Sequence, residues 1–388
     1  MTRRPPAPKD AVLAESTGWP NAPQDEDRAT MQPLENTFST SSSAPEETSS
    51  GPRAAPPKPG AQPRGGRSEP RSSGERELPP HAPEVGGFLH KVLGRFYFTG
   101  SFWFRFHRWG VSVLPEWGLW AFTVFFTTVF FLLLGRIRRA VASNLEAVLG
   151  PCGWWQRQKR VYATLWNFAW CTTERYEELS TDKRVRTTIE GQEYLDQCLD
   201  GDRGLVLVTA HIGHWESGSR TAANKRPRPV HVVREDEMDP QAQRFVAELL
   251  RSKAAAGYTV HFSEEPTRLG VLLLAALRRG EVVAVQGDRP RTGTRTHKGH
   301  LFGREIELPA GPAVLGRTAE VPLLPVFMLR EGRLAARVVV RPPIEVSQTG
   351  DRRRDLGKAV ERVAAEVEAA IRRAPTQWFC FRELWPRS

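Results

Sequence analysis

The chain has 388 residues and a formal net charge of +11. Its cysteines form no CxxC pair, so they indicate neither a disulfide framework nor a zinc ribbon and fit a reducing compartment; they are Cys152, Cys171, Cys198 and Cys380. The positive charge implies an anionic partner, namely nucleic acid, a membrane surface or a phosphorylated substrate. Zinc-finger, RNP and helix-turn-helix patterns are missing from the sequence, which argues against nucleic acid. Many of the 12 tryptophans and 19 phenylalanines lie beside basic residues and the longest apolar run, which favours anionic membrane lipids.

The front of the chain, residues 1–83, is rich in proline, serine, glycine, glutamate and arginine. Such a composition buries too little apolar surface to offset the entropy lost on ordering, so we expect a disordered tail. Its start lacks the apolar core of a signal peptide.

The next segment, residues 84–135, predicts attachment to a membrane. Between Gly87 and Trp109 aromatic rings alternate with cations, as in a helix that lies among lipid headgroups. No residue from Trp117 to Leu134 is charged, and this length is at the short end for crossing a bilayer. A spanning helix and a monotopic hairpin are therefore both open. The basic run Arg136–Arg139 follows at once and predicts that the rest of the chain lies on the cytoplasmic side.

Residues 136–388 predict an α/β domain. Short β-branched runs alternate with helical patterns, which is typical of a mostly parallel sheet flanked by helices. The runs predict strands at Val185–Ile189, Leu205–Thr209, Pro229–Arg234, Tyr258–Phe262, Val282–Gln286 and Val338–Ile344. The helical patterns include Trp154–Leu179, Glu193–Leu199, Trp215–Asn224, Gln241–Ala256, Arg268–Arg279 and Leu356–Arg373. Since parallel strands end at one edge of a sheet, we expect the residues that follow them to line a functional crevice.

The stretch Val208–Ser217, VTAHIGHWES, places a histidine at the end of a buried strand. Gly213 permits a close turn, and Glu216 falls on the first turn of the next helix. A carboxylate on one ring nitrogen fixes the tautomer of a histidine and leaves the other nitrogen as a base. We therefore expect Glu216 to orient His211. Because the chain has no Gly-x-Ser-x-Gly nucleophile elbow, we expect His211 to take its proton from a substrate hydroxyl.

This stretch resembles the H-x4-[D/E] block of the glycerolipid acyltransferase superfamily, to which the lysophospholipid acyltransferases belong. Its form, HIGHWE, is similar to the HxGNWE of the bacterial lipid A late (lauroyl/myristoyl) acyltransferases and of the phosphatidylinositol mannoside acyltransferases. His214 stands where that family usually has asparagine. Three later segments resemble further blocks of the superfamily in the correct order, namely Gln286–Pro290, His300–Gly303 and Val321–Pro325.

The resemblance implies substrate-binding residues beyond the His211–Glu216 pair. Arg234 is expected to hold a phosphate or carboxylate of the acceptor, and Asp288 and Arg289 to contact substrate or phosphate. Gly303 belongs to a segment similar to the family's FFG, and an amide near Gly213 is expected to stabilise the oxyanion. A surface ion pair at Arg234 and a cap or turn at Asp288 are the structural alternatives. The resemblance implies no bound cofactor and no metal.

The implied function is a membrane-bound O-acyltransferase at the cytoplasmic face of the bacterial inner membrane. It would move a fatty acyl chain from acyl-CoA or acyl carrier protein (acyl-ACP) to a hydroxyl of a lipid or glycolipid. The basic loop Arg291–Lys298 suits the phosphates of coenzyme A or the acidic face of acyl carrier protein. Two other classes remain open, a metal-dependent hydrolase with His211, His214 and Glu216 as ligands and a non-catalytic lipid-binding protein.

Overall fold

The computed structural model describes residues 101–217, 228–234, 244, 248, 257–262, 266–290 and 293–385. The predicted tail, residues 1–83, lies outside these ranges, as does the aromatic stretch before residue 101. Most of the predicted helix Gln241–Ala256 and the second part of the predicted helix Trp215–Asn224 also lie outside the described residues.

Between residue 101 and the sheet the structure contains four helices: α1 (Ser101–Val113), α2 (Glu116–Leu133), α3 (Gly135–Leu149) and α4 (Trp154–Ser180). By length and composition α2 could cross a membrane, and 22% of it is buried. Its buried residues are Gly118, Leu119, Thr123 and Thr127. This spacing places them on one face of the helix. The hydroxyls of Thr128 and Tyr162 on α4 are 3.1 Å apart. One stripe of α2 is therefore buried beside α4, while large side chains such as Trp117 and Leu132 are exposed.

In the described residues after α4, nine strands and four further α-helices have defined bounds. The strands are β1 (Arg186–Glu190), β2 (Leu205–Thr209), β3 (Val230–Arg234), β4 (Tyr258–Phe262), β5 (Val282–Gln286), β6 (Thr296–Leu301), β7 (Arg304–Pro309), β8 (Leu323–Gly332) and β9 (Ala335–Val340). The helices are α5 (Gln192–Asp200), α6 (Pro266–Arg278), α7 (Gly311–Ala319) and α8 (Arg352–Arg373).

Seven strands form the central sheet in the order β1-β9-β8-β2-β5-β3-β4. β2 pairs in parallel with β5 and β8, and β3 pairs in parallel with β4 and β5. The β8–β9 hairpin is antiparallel, and β1 is parallel to β9, so β1 and β9 run against the rest of the sheet. β6 and β7 form a separate antiparallel hairpin.

Strand β2 is buried on both faces, which explains its uninterrupted apolar sequence. Val206 and Val208 belong to the same core cluster as residues of α8, whereas Leu205 and Leu207 belong to a second cluster with Leu195 of α5. Helices therefore cover both faces of the sheet. The predicted fold class, a mostly parallel α/β sheet flanked by helices, is confirmed, and the segment predicted to associate with a membrane contains the apolar helix α2. Strands β2, β4 and β5 begin and end where the sequence predicts.

Candidate active site

The centre of the site is a histidine–aspartate pair built by two adjacent parallel strands. β2 and β5 pair in register, with Thr209 opposite Gln286. His211 and Asp288 each lie two residues beyond these strand ends, so the sheet brings them side by side. The Nδ1 atom of His211 is 2.7 Å from Oδ1 of Asp288. The predicted convergence of polar residues at this edge of the sheet is therefore found in the structure.

Asp288 is enclosed by hydrogen-bond donors. Its side chain is 0% exposed, while that of His211 is 20% exposed. Trp378 Nε1 donates to the second carboxylate oxygen of Asp288 at 3.1 Å. Burial alone would raise the pKa of Asp288, but the charge and hydrogen bond of His211, with Arg289 and Trp378, bring this pKa below its usual range. The aspartate is thus ionised and fixes the orientation of the imidazole, leaving Nε2 as the nitrogen that can accept a proton.

The predicted pairing of Glu216 with His211 is wrong in this structure. Glu216 instead lies between two guanidinium groups, those of Arg175 on α4 and Arg234 at the end of β3. Arg234 Nη1 is 2.5 Å from Glu216 Oε1. The physical reason is that the helical turn starting at Trp215 directs Glu216 towards α4 and β3, while the β2–β5 register directs His211 towards Asp288.

The turn between His211 and Glu216 depends on Gly213. This glycine has φ +54°, and a Cβ built on it would lie 2.1 Å from the carbonyl oxygen of Met328. Its amide donates to the Gln377 carbonyl at 3.0 Å, and the amide of His214 donates to Met328 at 2.8 Å. Both amides are therefore occupied, and the predicted oxyanion role of Gly213 is replaced by a role in holding the loop against β8.

We expect Gly213→Ala to lower the free energy of unfolding by about 2–4 kcal/mol, because the new methyl group meets backbone and the positive φ is strained. Denaturant unfolding measures this change. Gly270→Ala is a suitable control, since no atom lies within 4 Å of a Cβ at that position of α6. A helical glycine-to-alanine change should alter stability by only about 1 kcal/mol, in the stabilising direction. Equal stability of Gly213→Ala and the wild type would contradict the close contact.

The side chain of His214 also holds the turn between His211 and Glu216 in place. Its side chain is 1% exposed, and its Nε2 lies 3.0 Å from Oε2 of the fully buried Glu174 on α4. Burial alone would raise the pKa of Glu174, but His214 and Arg330 bring it below its usual range. The three candidate metal ligands thus point to different partners, and the described part of the chain contains no group of three His, Cys, Asp or Glu side chains placed to hold a metal ion.

Two other predicted residues lie around the pair without joining it. Arg289 Nη1 donates to the carbonyl of Phe379 at 2.9 Å and lies 3.9 Å from Asp288, so it ties the C-terminal segment to the site. Gly303, with φ +72°, occupies the turn between β6 and β7. The neighbouring Phe302 ring lies 6.0 Å from the Trp378 ring, which makes this hairpin part of the packing behind Asp288.

An apolar cavity of about 50 Å³ adjoins the site. Its walls include Leu207, Ala284 and Met328 from the face of the sheet, and Glu216 and Arg234 lie at the carboxyl ends of the strands. Trp215 also lines it, and the Trp215 ring is 5.9 Å from the ring of His211. The arrangement offers apolar surface, a cationic cluster and a base within one region.

Sequence reasoning missed three contributors: Arg175, Trp378 and the role of Asp288 as the partner of the histidine. Only Asp288 had a usable signal, because equal offsets beyond two neighbouring parallel strands place side chains together. Arg175 and Trp378 reach the site from α4 and from the C-terminal segment. No local pattern joins residues so distant in sequence.

The chain was compared with known proteins at three levels. The family model described as bacterial lipid A biosynthesis acyltransferase matches residues 88–387. No curated protein matches the chain. Among solved structures, the crystal structure of the 1-acyl-sn-glycerophosphate (LPA) acyltransferase PlsC from Thermotoga maritima is similar, with 14% identity, a TM-score of 0.30, and coverage of 65% of this chain and 95% of that one. Because the family model spans most of the chain, this protein is an acyltransferase and belongs to the bacterial lipid A biosynthesis acyltransferase family.

Proposed function

We propose that the protein is a membrane-bound O-acyltransferase that moves a fatty acyl chain from an acyl thioester to a hydroxyl of a lipid or glycolipid. His211 is the general base and Asp288 its orienting carboxylate. The observation that carries this proposal is the 2.7 Å contact between His211 Nδ1 and the buried Asp288 at the carboxyl edge of the sheet. Membership of an acyltransferase family sets aside the metal-dependent hydrolase and the non-catalytic lipid-binding protein.

The reaction needs one base and no covalent intermediate on the protein. The acceptor oxygen attacks the thioester carbonyl carbon while its proton passes to Nε2 of His211. The carbon–sulfur bond then breaks, and the leaving thiolate takes the proton from the imidazolium. Asp288 stabilises the imidazolium between these two steps.

Cys380, two residues after Trp378, is poorly suited to act as a nucleophile. Cys380 is 1% exposed, and its sulfur donates to the carbonyl of Arg382 at 3.4 Å. Burial raises the pKa of the Cys380 thiol. Because the thiolate is the reactive form of cysteine, a thiol held protonated supports direct attack by the acceptor hydroxyl.

Glu216 acts in substrate binding in this proposal. It holds Arg175 and Arg234 beside the cavity, where a substrate phosphate or carboxylate would meet two guanidinium groups. The apolar walls of the same cavity suit the start of the acyl chain. Arg289 and Gly303 support the site from the side of the C-terminal segment and the β6–β7 hairpin.

We expect Arg234→Gln to raise KM for a phosphate-bearing substrate roughly 10- to 100-fold, since a charge-assisted hydrogen bond contributes about 1.5–3 kcal/mol. kcat should change much less, because the histidine–aspartate pair is untouched. Initial rates with a phosphorylated lipid acceptor and with its dephosphorylated form measure the effect. Arg337→Gln on β9 is the charge-matched control. An equal rise in KM for both acceptors would contradict phosphate binding by Arg234.

Attachment to the cytoplasmic face of the bacterial inner membrane is proposed from the N-terminal helices. Proteins of this family are associated with membranes in bacteria. The exposed face of α2 carries Trp117, Trp120 and Phe125 at 76%, 56% and 59% exposure. Rings of this kind are favourable at a lipid–water interface, and the basic start of α3 faces anionic headgroups.

The donor and the reaction are tested together with the purified full chain in detergent micelles. Acyl-CoA and acyl-ACP are each supplied with a lysophospholipid or glycolipid acceptor, and mass spectrometry follows acylated product while a thiol reagent follows the released thiol. Product and thiol formed in equal amounts would support transfer. Thiol release without acylated lipid would mean hydrolysis and would overturn the proposal.

A further inference from the structure

We propose that the groove between α3 and α4 binds the phosphate headgroup of an anionic membrane lipid, at a site separate from the histidine–aspartate pair. The groove encloses about 780 Å³, which is within the usual range for sites that bind small molecules. One stripe of α3 forms one wall, including Arg138, Arg139 and Ser143, and the first turns of α4 form the other, including Trp154 and Arg157. The inference rests on the proposed membrane attachment and adds a specific lipid contact to it.

The charges that line the groove suit a phosphate diester. Three arginines face two carboxylates there, those of Glu146 and Glu383. Arg157 is paired with Glu146 at 3.1 Å. The guanidinium of Arg138 lies 5.1 Å from the centre of the Phe131 ring, and within the described residues no hydrogen bond or ion pair joins Arg139 to another side chain. Arg138 and Arg139 are thus the cations that a headgroup phosphate would neutralise.

Apolar side chains flank the groove and indicate a lipid rather than a free phosphate. The groove begins at Gly135, just after α2, whose last residues Leu132 and Leu133 are 63% and 50% exposed. Trp154 and Trp155, at the start of α4, are 61% and 74% exposed. Guanidinium groups beside exposed tryptophans and leucines suit a bilayer surface, where headgroup phosphates adjoin acyl chains.

The test is flotation of the full-length protein with vesicles of phosphatidylcholine alone and of phosphatidylcholine mixed with phosphatidylglycerol. The wild type should bind the mixed vesicles more tightly. The double variant Arg138→Gln/Arg139→Gln should bind the mixed vesicles about 30-fold more weakly than the wild type does. This factor corresponds to a loss of about 1 kcal/mol for each arginine at an anionic surface. It should keep its binding to the neutral vesicles, which depends on the apolar face of α2.

A second groove variant and a charge-matched control separate this site from net charge. Ser143→Glu places a negative charge in the groove without removing an arginine and should cause a similar loss. Arg352→Gln/Arg353→Gln removes the same charge at the start of α8, where both side chains are exposed, and should keep the gain. The inference is overturned if the control loses as much as the groove variants, or if the groove variants keep the gain.

Donor binding and catalysis are measured separately from lipid binding by the groove. In detergent micelles, both groove variants should keep the wild-type KM for acyl-CoA and acyl-ACP, and a raised KM would make the groove a donor site instead. His211→Ala protein should show the full gain with phosphatidylglycerol. Failure of the proposed catalysis would therefore leave the vesicle result intact, and failure of the groove would leave the catalysis intact.

Discussion

Replacing His211 with alanine is expected to lower kcat for acyl transfer by about 10²- to 10⁴-fold, the usual contribution of a positioned general base. The variant lacks Nε2, so the acceptor hydroxyl must attack without a group to take its proton. Thiol release and acylated product, measured at saturating donor and acceptor, report the loss directly. Binding to vesicles should be unchanged, because the apolar helix and the basic groove lie on other elements.

The alanine variant leaves the buried carboxylate of Asp288 without its histidine, which alone can cost about 1–3 kcal/mol of stability. His211→Asn addresses this, since its side-chain amide can still donate to Asp288 but cannot act as a base. Both variants should be equally inactive and differ only in melting temperature. His300→Ala, at a histidine whose side chain is 62% exposed, is the matched control and should keep full activity. Substantial turnover by folded His211→Asn protein would refute the assignment of the base.

The part of the site that could be predicted from the sequence is the part set by the sheet. Buried strands are recognisable by their β-branched, uncharged runs, and parallel strands end at the same edge. His211 and Asp288 follow two such strands and Arg234 ends a third, and all three lie at that edge. Strand order and register are what convert this coarse prediction into the contact between His211 and Asp288, and neither can be read from spacing alone.

The incorrect partner for His211 came from local spacing. A carboxylate five residues after a histidine can reach its ring, but the direction of the side chain depends on the turn between them. Here the turn is fixed by contacts with residues far along the chain, Met328 and Gln377. Glu216 then meets Arg175, a residue on α4 that no local pattern connects to the strand.

Strand β8 was missing from the predicted strands for a different reason. Pro322 directly precedes β8 and Pro325 lies within it, and proline normally argues against a strand inside a sheet. In the structure Pro325 pairs with Val208 in the parallel ladder, and its carbonyl accepts from the amide of Arg341. The strand tolerates Pro325 because the carbonyl of this residue still has a hydrogen-bond donor. The donor belongs to Arg341, so this condition depends on the tertiary structure.

The variant Asp288→Asn distinguishes the role of Asp288 from that of Glu216. We expect this variant to lose about 10²- to 10⁴-fold in kcat, comparable to the effect of the same change in a hydrolase triad. Glu216→Gln should instead act mainly on KM, because that side chain holds Arg175 and Arg234. The same kinetic assay with both variants distinguishes the two roles. A larger fall in kcat for Glu216→Gln than for Asp288→Asn would restore Glu216 as the partner of His211.

The loss in Asp288→Asn follows from the donor on the other side of the carboxylate. Trp378 Nε1 donates to this side chain, so the amide oxygen of asparagine should face Trp378 and its NH2 group should face His211. An amide donor next to Nδ1 stabilises the tautomer that carries its proton on Nε2, and that tautomer cannot accept a proton from the acceptor hydroxyl.

Adding Trp378→Phe to Asp288→Asn removes the indole donor and frees the amide to turn its oxygen towards Nδ1. The double variant should therefore be more active than Asp288→Asn alone. In the wild-type background, Trp378→Phe alone should lower the acyl-transfer activity. If the two substitutions instead added their losses, control of the tautomer by Trp378 and Asp288 would be excluded.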